Sequence, residues 1–227
     1  MILMKALKKT LDLIKPAKLY LLLSLLFLIT GIPCLLWLDK SSVSLFFNDR
    51  HNIFFDYFFR FVTYIGNGLY AVIIIVIIFR KNIHRIIYGL SSFALSGLVA
   101  QLLKYIYDTP RPKAFFAQNI VLNFVPNVDV HMFHSFPSGH TASAFSLFLI
   151  LAVFFRNKSF QVFCFIMAMC VGISRIYLFQ HFFVDVYFGA LIGIVFTFVS
   201  VWIWNLNGKL NNSAKFNGPL IDLFKKK

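Results

Sequence analysis

The fold is decided by the uncharged run Leu19–Leu38, LYLLLSLLFLITGIPCLLWL. A helix needs about 20 apolar residues to cross the hydrocarbon core of a bilayer, and this run meets that length. Lipid offers no partners to backbone N–H and C=O groups, so a spanning segment of this kind is helical. Working outward from it, we predict six spans, at residues 19–38, 61–79, 86–104, 138–155, 160–177 and 184–204.

The composition of the whole chain supports an all-α membrane protein. Of the 227 residues, 59% are hydrophobic and 13% are charged, which is too apolar for a soluble domain with a solvated surface. We interpret residues 1–227 as one domain that ends in a basic tail over 205–227. The first run is longer than the apolar part of a secretory signal and lacks a small-x-small cleavage site after it, so we expect it to be retained.

The basic residues indicate the orientation of the spans. The net charge is +14, and 15 of the 22 lysines and arginines fall at one set of span ends, including both termini. By the positive-inside rule those ends are cytoplasmic. The charge is therefore explained by topology and anionic lipid, and we expect no nucleic-acid partner.

The segment after the first span has the pattern of a short amphipathic helix. Phe54, Phe55, Phe58 and Phe59 recur at helical spacing, while Asp56 and Arg60 lie between them. We predict a helix in the outer interface here. The three cysteines lie in apolar segments and do not form a disulfide framework or a metal-ligand pattern.

Three polar stretches stand at the opposite, non-cytoplasmic span ends. In the first, Lys104 is followed by six residues and then by Arg111-Pro112. The second is the block 137–140, Pro-Ser-Gly-His. In the third, Arg175 is followed by five residues and His181, with Asp185 four further on. Ionisable groups at a membrane boundary are costly, so such clusters are by default functional.

These three stretches, in this order and spacing, resemble the motifs of the type 2 phosphatidic acid phosphatase family of integral membrane lipid phosphatases. The resemblance covers about residues 100–190, with no substitution at a defining position. It implies hydrolysis through a phosphohistidine formed on His181, which Asp185 orients, while His140 protonates the leaving oxygen. It also implies that the phosphoryl oxygens are bound by Lys104, Arg111, Ser138, Gly139 and Arg175, without a metal or other cofactor.

Physical reasoning from the residues agrees in part. The block 137–140 precedes an apolar run and so should begin a helix, where free N–H groups and the helix dipole favour an anion. His181 and Asp185, four apart, are expected on one helical face, so that the carboxylate holds one ring nitrogen. On a continuous helix, however, Arg175 and His181 would lie on different faces, and neither glycine nor proline marks a turn between them.

Several alternatives remain open. Ser138 could act only as a helix cap, and Lys104 could be a snorkelling residue at a span end. His131 and His134 could form a metal pair, although no carboxylate or cysteine has ligand spacing to them. A vanadium haloperoxidase would share the anion pocket but not the spans. A transporter or non-catalytic lipid binder would be expected to place polar groups near the bilayer midplane.

The substrate is the least constrained feature. The runs 108–113 and 134–136 look like those of Gram-negative envelope phosphatases, some of which act on lipid A. We therefore expect a lipid A phosphate, with undecaprenyl diphosphate, phosphatidylglycerol phosphate and phosphatidate as alternatives. The same resemblance predicts an inner-membrane protein whose active site faces the periplasm.

Overall fold

The structure is a computed structural model that describes residues 2–116, 122–206, 216 and 218–223. It is all-helical, and no strand occurs within these ranges. Short 3₁₀ turns occur at Lys15–Ala17, Thr63–Gly66 and Leu220–Leu223. The helices are α1 (Ile2–Ile14), α2 (Lys18–Trp37), α3 (Ser42–Asn48), α4 (Ile53–Val62), α5 (Gly68–Phe79), α6 (Ile83–Tyr107), α7 (Pro112–Phe115), α8 (Gly139–Phe154), α9 (Lys158–Tyr177) and α10 (Phe183–Leu206).

Four stretches are long and apolar enough to cross a membrane, namely Ile2–Trp37, Ile83–Phe115, Lys158–Tyr177 and Phe183–Leu206. A fifth span is possible if the pair Ile53–Gly66 and Gly68–Phe79, which is bent by 67°, counts as one. Helix α8 is apolar but has only 16 residues. The structure thus supports four to five candidate spans where the sequence predicts six.

Four of the predicted spans correspond to α2, α6, α9 and α10, with ends within three residues of the prediction. The second predicted span, 61–79, differs because the chain breaks at Asn67. There the backbone is extended, and the Asn67 side chain accepts a hydrogen bond from Leu69 N, which caps α5. Helix α1 lies outside every predicted span. The prediction of a basic tail concerns residues that lie mostly outside the described ranges.

Helix α8 forms the centre of the bundle, and every side chain from Thr141 to Val153 is buried. Helix α10 packs closely against it because of two glycines. A Cβ on Gly189 would lie 2.6 Å from Ser138 O, and one on Gly193 would lie 2.5 Å from Ala142 O. Only glycine permits this approach, which brings the start of α10 beside the start of α8.

Helix α4 forms where the amphipathic pattern predicts it. Asn52 caps its first turn by accepting from Phe55 N. Asp56 accepts a 2.5 Å hydrogen bond from the Tyr177 hydroxyl and lies 3.3 Å from His51 Nδ1. On helix α4, the aromatic side chains Phe54 and Phe61 are 68% and 72% exposed. The helix is therefore fixed to the end of α9 on one side, and its placement in the outer interface stays a prediction.

Candidate active site

The chain turns sharply between Arg175 and His181. Helix α9 ends at Tyr177, and Phe179 adopts a left-handed conformation with φ of 58°. The backbone N–H groups of Gln180 and His181 both donate to Arg175 O, at 2.9 and 3.0 Å. This is the turn that the two functional side chains require. A bulky residue is rare at positive φ, which is why the sequence gives no sign of it.

His181 and Asp185 come together, but not on one helical face as expected. Helix α10 begins only at Phe183, so His181 precedes it and Asp185 lies in its first turn. The distance from His181 Nδ1 to Asp185 Oδ2 is 3.4 Å, and both side chains are 1% exposed. The carboxylate faces this ring nitrogen, but His181 Nδ1 forms no hydrogen bond in the described part of the chain, so the predicted hydrogen bond stays a prediction. The predicted helical face was wrong because the helix starts later.

Asp185 is held in place by two donors. The Phe182 N–H donates to its Oδ2 at 2.9 Å, in the manner of a capping box at the start of α10. The Ser135 hydroxyl donates to the same oxygen at 2.5 Å. Ser135 is fully buried, and the other carboxylate oxygen, Oδ1, is buried without a hydrogen-bond partner in the described part of the chain. Two hydrogen bonds to one carboxylate oxygen fix the orientation of the Asp185 side chain.

The block 137–140 begins helix α8, as predicted. Ser138 is its N-cap, and its hydroxyl oxygen accepts from Thr141 N and from the Thr141 hydroxyl. Ser138 therefore does cap the helix, yet its own hydroxyl proton can still be donated. Its N–H donates to Asp185 O at 2.9 Å, which ties this block to the third motif. A Cβ placed on Gly139 would lie 3.8 Å from Lys104 Nζ, so Lys104 lies directly beside the start of α8.

The two arginines are buried and anchored by neutral oxygens. Arg111 is 7% exposed and donates to Gln180 Oε1 at 2.8 Å and to Phe133 O at 2.9 Å. Arg175 is 6% exposed and donates to the Thr63 hydroxyl at 2.6 Å. Its Nε has no partner within the described ranges. Neither these arginines nor Lys104 forms an ion pair with a carboxylate there. Buried cations without counter-ions are costly, and an anion at this position would compensate for them.

Electrostatic interactions connect charged and titratable residues of all three motifs. His140 interacts electrostatically with Arg175, His181, Lys104 and Arg111. Burial, together with Arg111, Arg175 and Lys104, holds the pKa of His181 well below its usual value of 6.5. A positive environment of this kind keeps the imidazole neutral and attracts a phosphate.

Hydrogen bonds join the segment that carries the first motif, around Thr109 and Arg111, to the segment 132–136 that precedes the second motif. The N–H of Ser135 donates to Thr109 O, and that of Phe136 to the Thr109 hydroxyl, both at 3.0 Å. The N–H of Arg111 donates to Met132 O at 2.8 Å. Helix α6 ends at Tyr107, with Asp108 in the left-handed region at φ of 31°. These bonds direct Arg111 back toward Lys104 and α8.

The possible metal pair is not a cluster in the structure. His134 Nδ1 lies 3.0 Å from Asp108 Oδ1, and the two side chains are 50% and 60% exposed. No group of three or more potential metal ligands occurs within the ranges that the structure covers. In the structure, His134 thus pairs with Asp108, and the absence of a metal site stays a prediction.

Three supporting residues were not assigned a role from the sequence. Ser135 orients Asp185, Gln180 anchors Arg111 and also donates to Asp129 O at 2.7 Å, and Thr63 anchors Arg175. Thr63 lies 112 positions from the arginine that it contacts. Only the position of Ser135, two residues before the second motif, could have suggested a role.

Comparison with known proteins identifies the family. Residues 85–209 match the PAP2 superfamily. This segment is more than half of the chain, so the protein belongs to that superfamily. The resemblance seen in the three motifs is thereby confirmed.

Named relatives include membrane phosphatases. The undecaprenyl-diphosphatase BcrC of Bacillus subtilis is 30% identical over 66% of this chain and 75% of its own length. A lipid A 1-phosphatase of Rhizobium johnstonii is 27% identical over 85% of this chain and 72% of its own. The crystal structure of Aquifex aeolicus LpxE superposes with a TM-score of 0.60 at 30% identity, over 70% of this chain and 93% of that one.

Another relative carries a different kind of name. The bacitracin transport permease protein BcrC of Bacillus licheniformis is 28% identical over 54% of this chain, and the match spans 57% of that relative. Taken with the apolar helices, the comparisons support an integral membrane protein. The superfamily and the phosphatases in it support a phosphoric monoester hydrolase that acts on lipid phosphates.

Proposed function

We propose that the protein hydrolyses a phosphomonoester or diphosphate of a membrane lipid through a phosphohistidine intermediate. The observation that carries this proposal is the buried His181–Asp185 pair, which lies among three cations at the N-terminus of α8. A histidine oriented by a carboxylate is a nucleophile. Cations and a helix end without a counter-ion suit the phosphoryl group that it attacks.

The reaction proceeds in two steps. In the first, Asp185 faces Nδ1 of His181, so the opposite nitrogen, Nε2, attacks phosphorus as the P–O bond to the lipid breaks. His140 gives its proton to the departing oxygen. In the second, His140 takes a proton from a water molecule, which attacks the phosphohistidine. The P–N bond breaks, inorganic phosphate leaves, and Nε2 of His181 regains its free electron pair.

Five groups bind the phosphoryl oxygens. Anchoring contacts take two guanidinium nitrogens of Arg111, Nε and Nη1, and one of Arg175, Nη1, which leaves the others for the phosphate. Lys104 contributes a point charge beside Gly139, where the missing side chain leaves room for an oxygen. Ser138 donates the hydroxyl proton that the helix cap does not use. The charges are in place before the reaction, and no metal or other cofactor is required.

We further propose a six-span topology in a single domain, 1–227. In it, the bent pair around Asn67 is the second span and α8 is the fourth, short span buried in the bundle. Both termini are cytoplasmic, α4 lies in the outer interface, and the active site opens to the exterior of an inner membrane. A reporter that is active only outside the cytoplasm, fused after residue 227, would be inactive under this topology.

The proposed substrate is a lipid A phosphate, because the Rhizobium johnstonii relative is named a lipid A 1-phosphatase. The alternatives are undecaprenyl diphosphate, phosphatidylglycerol phosphate and phosphatidate, the first of which is the named substrate of another relative. Release of inorganic phosphate by the purified protein from each of these lipids decides between them. Release from none would reject the proposed function.

The competing class is a transporter or non-catalytic binder of lipid phosphates. The permease name of one relative is the observation in its favour. Binding of a lipid phosphate without release of phosphate, in wild type and in His181→Ala alike, would support this class. A loss of phosphate release confined to His181→Ala would exclude it.

A further inference from the structure

An apolar groove runs alongside the candidate active site, between the end of α2 and the start of α10. Its volume is about 420 Å³. Its apolar walls are Cys34, Leu35 and Leu38 on one side and Phe183, Val184 and Phe188 on the other. Asp39, Lys40 and Val43, which follow the end of α2 at Trp37, complete its lining. The groove thus has hydrocarbon walls and a charged end.

The groove is continuous with the catalytic turn. Two of its wall residues, Phe183 and Val184, lie in sequence between Phe182, whose N–H holds Asp185, and Asp185 itself. A third, Phe188, packs its ring on Phe136, with 5.3 Å between centroids. Phe136 directly precedes the block that begins α8. A molecule lying in the groove would therefore have one end at the phosphate-binding cluster.

Lys40 marks the polar end of the groove. Its Nζ lies 4.3 Å from the centroid of the Phe182 ring and 5.7 Å from that of Phe115. It also interacts electrostatically with Asp185. A lysine held over an aromatic ring keeps its ammonium in a defined position. In the part of the chain that the structure covers, this ammonium forms no ion pair, so it can bind an anion.

We propose that this groove holds the hydrocarbon chain of the lipid phosphate, while Lys40 binds an anionic oxygen at the polar end of the lipid. The proposal rests on the proposed function and adds the place where the lipid portion binds. The outer side chains of α2 next to the groove, Leu36 and Trp37, are 72% and 80% exposed. Such apolar exposure is expected to face lipid. A chain can therefore enter from the bilayer while its phosphate stays at the boundary.

The proposal predicts selectivity for chain length. Cys34→Trp fills the groove, and Ile29→Trp is its matched control because Ile29 lies on the same helix, outside the groove, and is 54% exposed. For a long-chain lipid phosphate in mixed micelles, Cys34→Trp should lower kcat/KM at least about tenfold, a realistic loss for a blocked apolar site. Turnover of a water-soluble short-chain phosphate ester should stay within about twofold of wild type.

Two kinetic outcomes would overturn the proposal. One is a folded Cys34→Trp protein that hydrolyses the long-chain lipid normally. The other is an equal loss on both substrates, which would indicate general damage to the site. Thermal unfolding of each variant, compared with Ile29→Trp, establishes that the proteins are folded.

A binding measurement separates this proposal from the proposed function. The rate of maleimide labelling at Cys34 is measured by mass spectrometry in His181→Ala, with half-buried Cys170 as internal reference. A long-chain lipid phosphate should slow labelling at Cys34 but not at Cys170, and uncharged diacylglycerol of the same chains should protect less. Lys40→Gln should reduce that difference without removing it, because the other cations still bind the phosphate. Absence of protection in His181→Ala would reject the groove, even if the wild-type enzyme is active. Protection in His181→Ala, combined with no turnover by the wild-type protein, would reject only the proposed reaction.

Discussion

Of the three histidine–aspartate pairs in the described part of the chain, His181–Asp185 and His134–Asp108 differ most in burial. In the pair His181–Asp185 the nearest atoms are 3.4 Å apart and both side chains are 1% exposed. In the pair His134–Asp108 the distance is shorter, 3.0 Å, but the side chains are 50% and 60% exposed. The first pair lies among three cations, and the second lies on a loop in contact with solvent.

This difference in burial indicates that proximity of a histidine and an aspartate does not by itself make a reactive site. Water screens the exposed pair, so its contribution is expected to be small. The buried pair has no such screening, and its carboxylate is fixed by Ser135 and Phe182. Its imidazole is kept neutral by burial and by neighbouring cations. Burial and neighbours, rather than the pair itself, should therefore decide which histidine reacts.

The largest expected effect is on the buried histidine. His181→Ala removes the nucleophile and should lower kcat by about 10³-fold or more, as in other enzymes that lose a nucleophile. His134→Ala is the matched control from the exposed pair. Phosphate release from the preferred lipid phosphate measures both. Near-normal turnover by a folded His181→Ala protein would eliminate the phosphohistidine mechanism.

Substitution of the buried carboxylate should likewise lower kcat more than substitution of the exposed one. Asp185→Asn keeps the nucleophile but weakens its orientation, so its loss in kcat should be roughly 10²-fold smaller than that of His181→Ala. Asp108→Asn, the matched change in the exposed pair, should leave kcat within about twofold. Equal losses for the two asparagine variants would mean that burial does not distinguish the pairs.

The buried cations offer a sharper test of what surrounds the reactive pair. Arg175→Lys keeps the charge but loses the planar fork and the bond to Thr63, and should lower kcat/KM about 10- to 100-fold. Inhibition by vanadate, a mimic of the transferred phosphoryl group, should weaken in parallel. Arg156→Lys, an exposed change outside the motifs, is the control. Weakened catalysis with unchanged vanadate inhibition would contradict a role in binding the transition state.

The pH dependence follows from the pKa of His181. The imidazole attacks only when neutral, so the rate falls as pH drops through its pKa in the free enzyme. Burial and the neighbouring cations lower this pKa, which puts the acid limb of kcat/KM below pH 6.5. Arg175→Gln removes one of those cations and should move the limb to higher pH. A limb at or above 6.5 in wild type, or no movement in the variant, would contradict the assignment.

The smallest expected effect is that of metal removal. The mechanism assigns charge stabilisation to Lys104, Arg111 and Arg175, so thorough chelation should change the rate by less than about twofold. His131→Ala combined with His134→Ala should be equally mild. Loss of activity with chelator, restored by a divalent metal, would show that the exposed histidines act as ligands.

The site was largely predictable because each motif is local. Lys104 with Arg111, the block 137–140, and His181 with Asp185 are recognisable from spacing alone, and the structure brings all of them to the start of α8. The second span was less predictable. Asn67, between Gly66 and Gly68, caps a new helix and bends the chain within a span that is otherwise largely apolar.

Hydropathy and residue spacing by themselves determined that this chain is a helical membrane protein with phosphatase motifs at one set of helix ends. These properties depend on composition and on neighbours a few residues apart. Tertiary structure decided how the chain turns at Phe179, why Asp185 is held by Ser135, and which histidine–aspartate pair is buried. Those features depend on contacts such as Thr63 with Arg175, which are far apart in the sequence. Long-range packing of this kind leaves no local pattern, and only the folded chain reveals it.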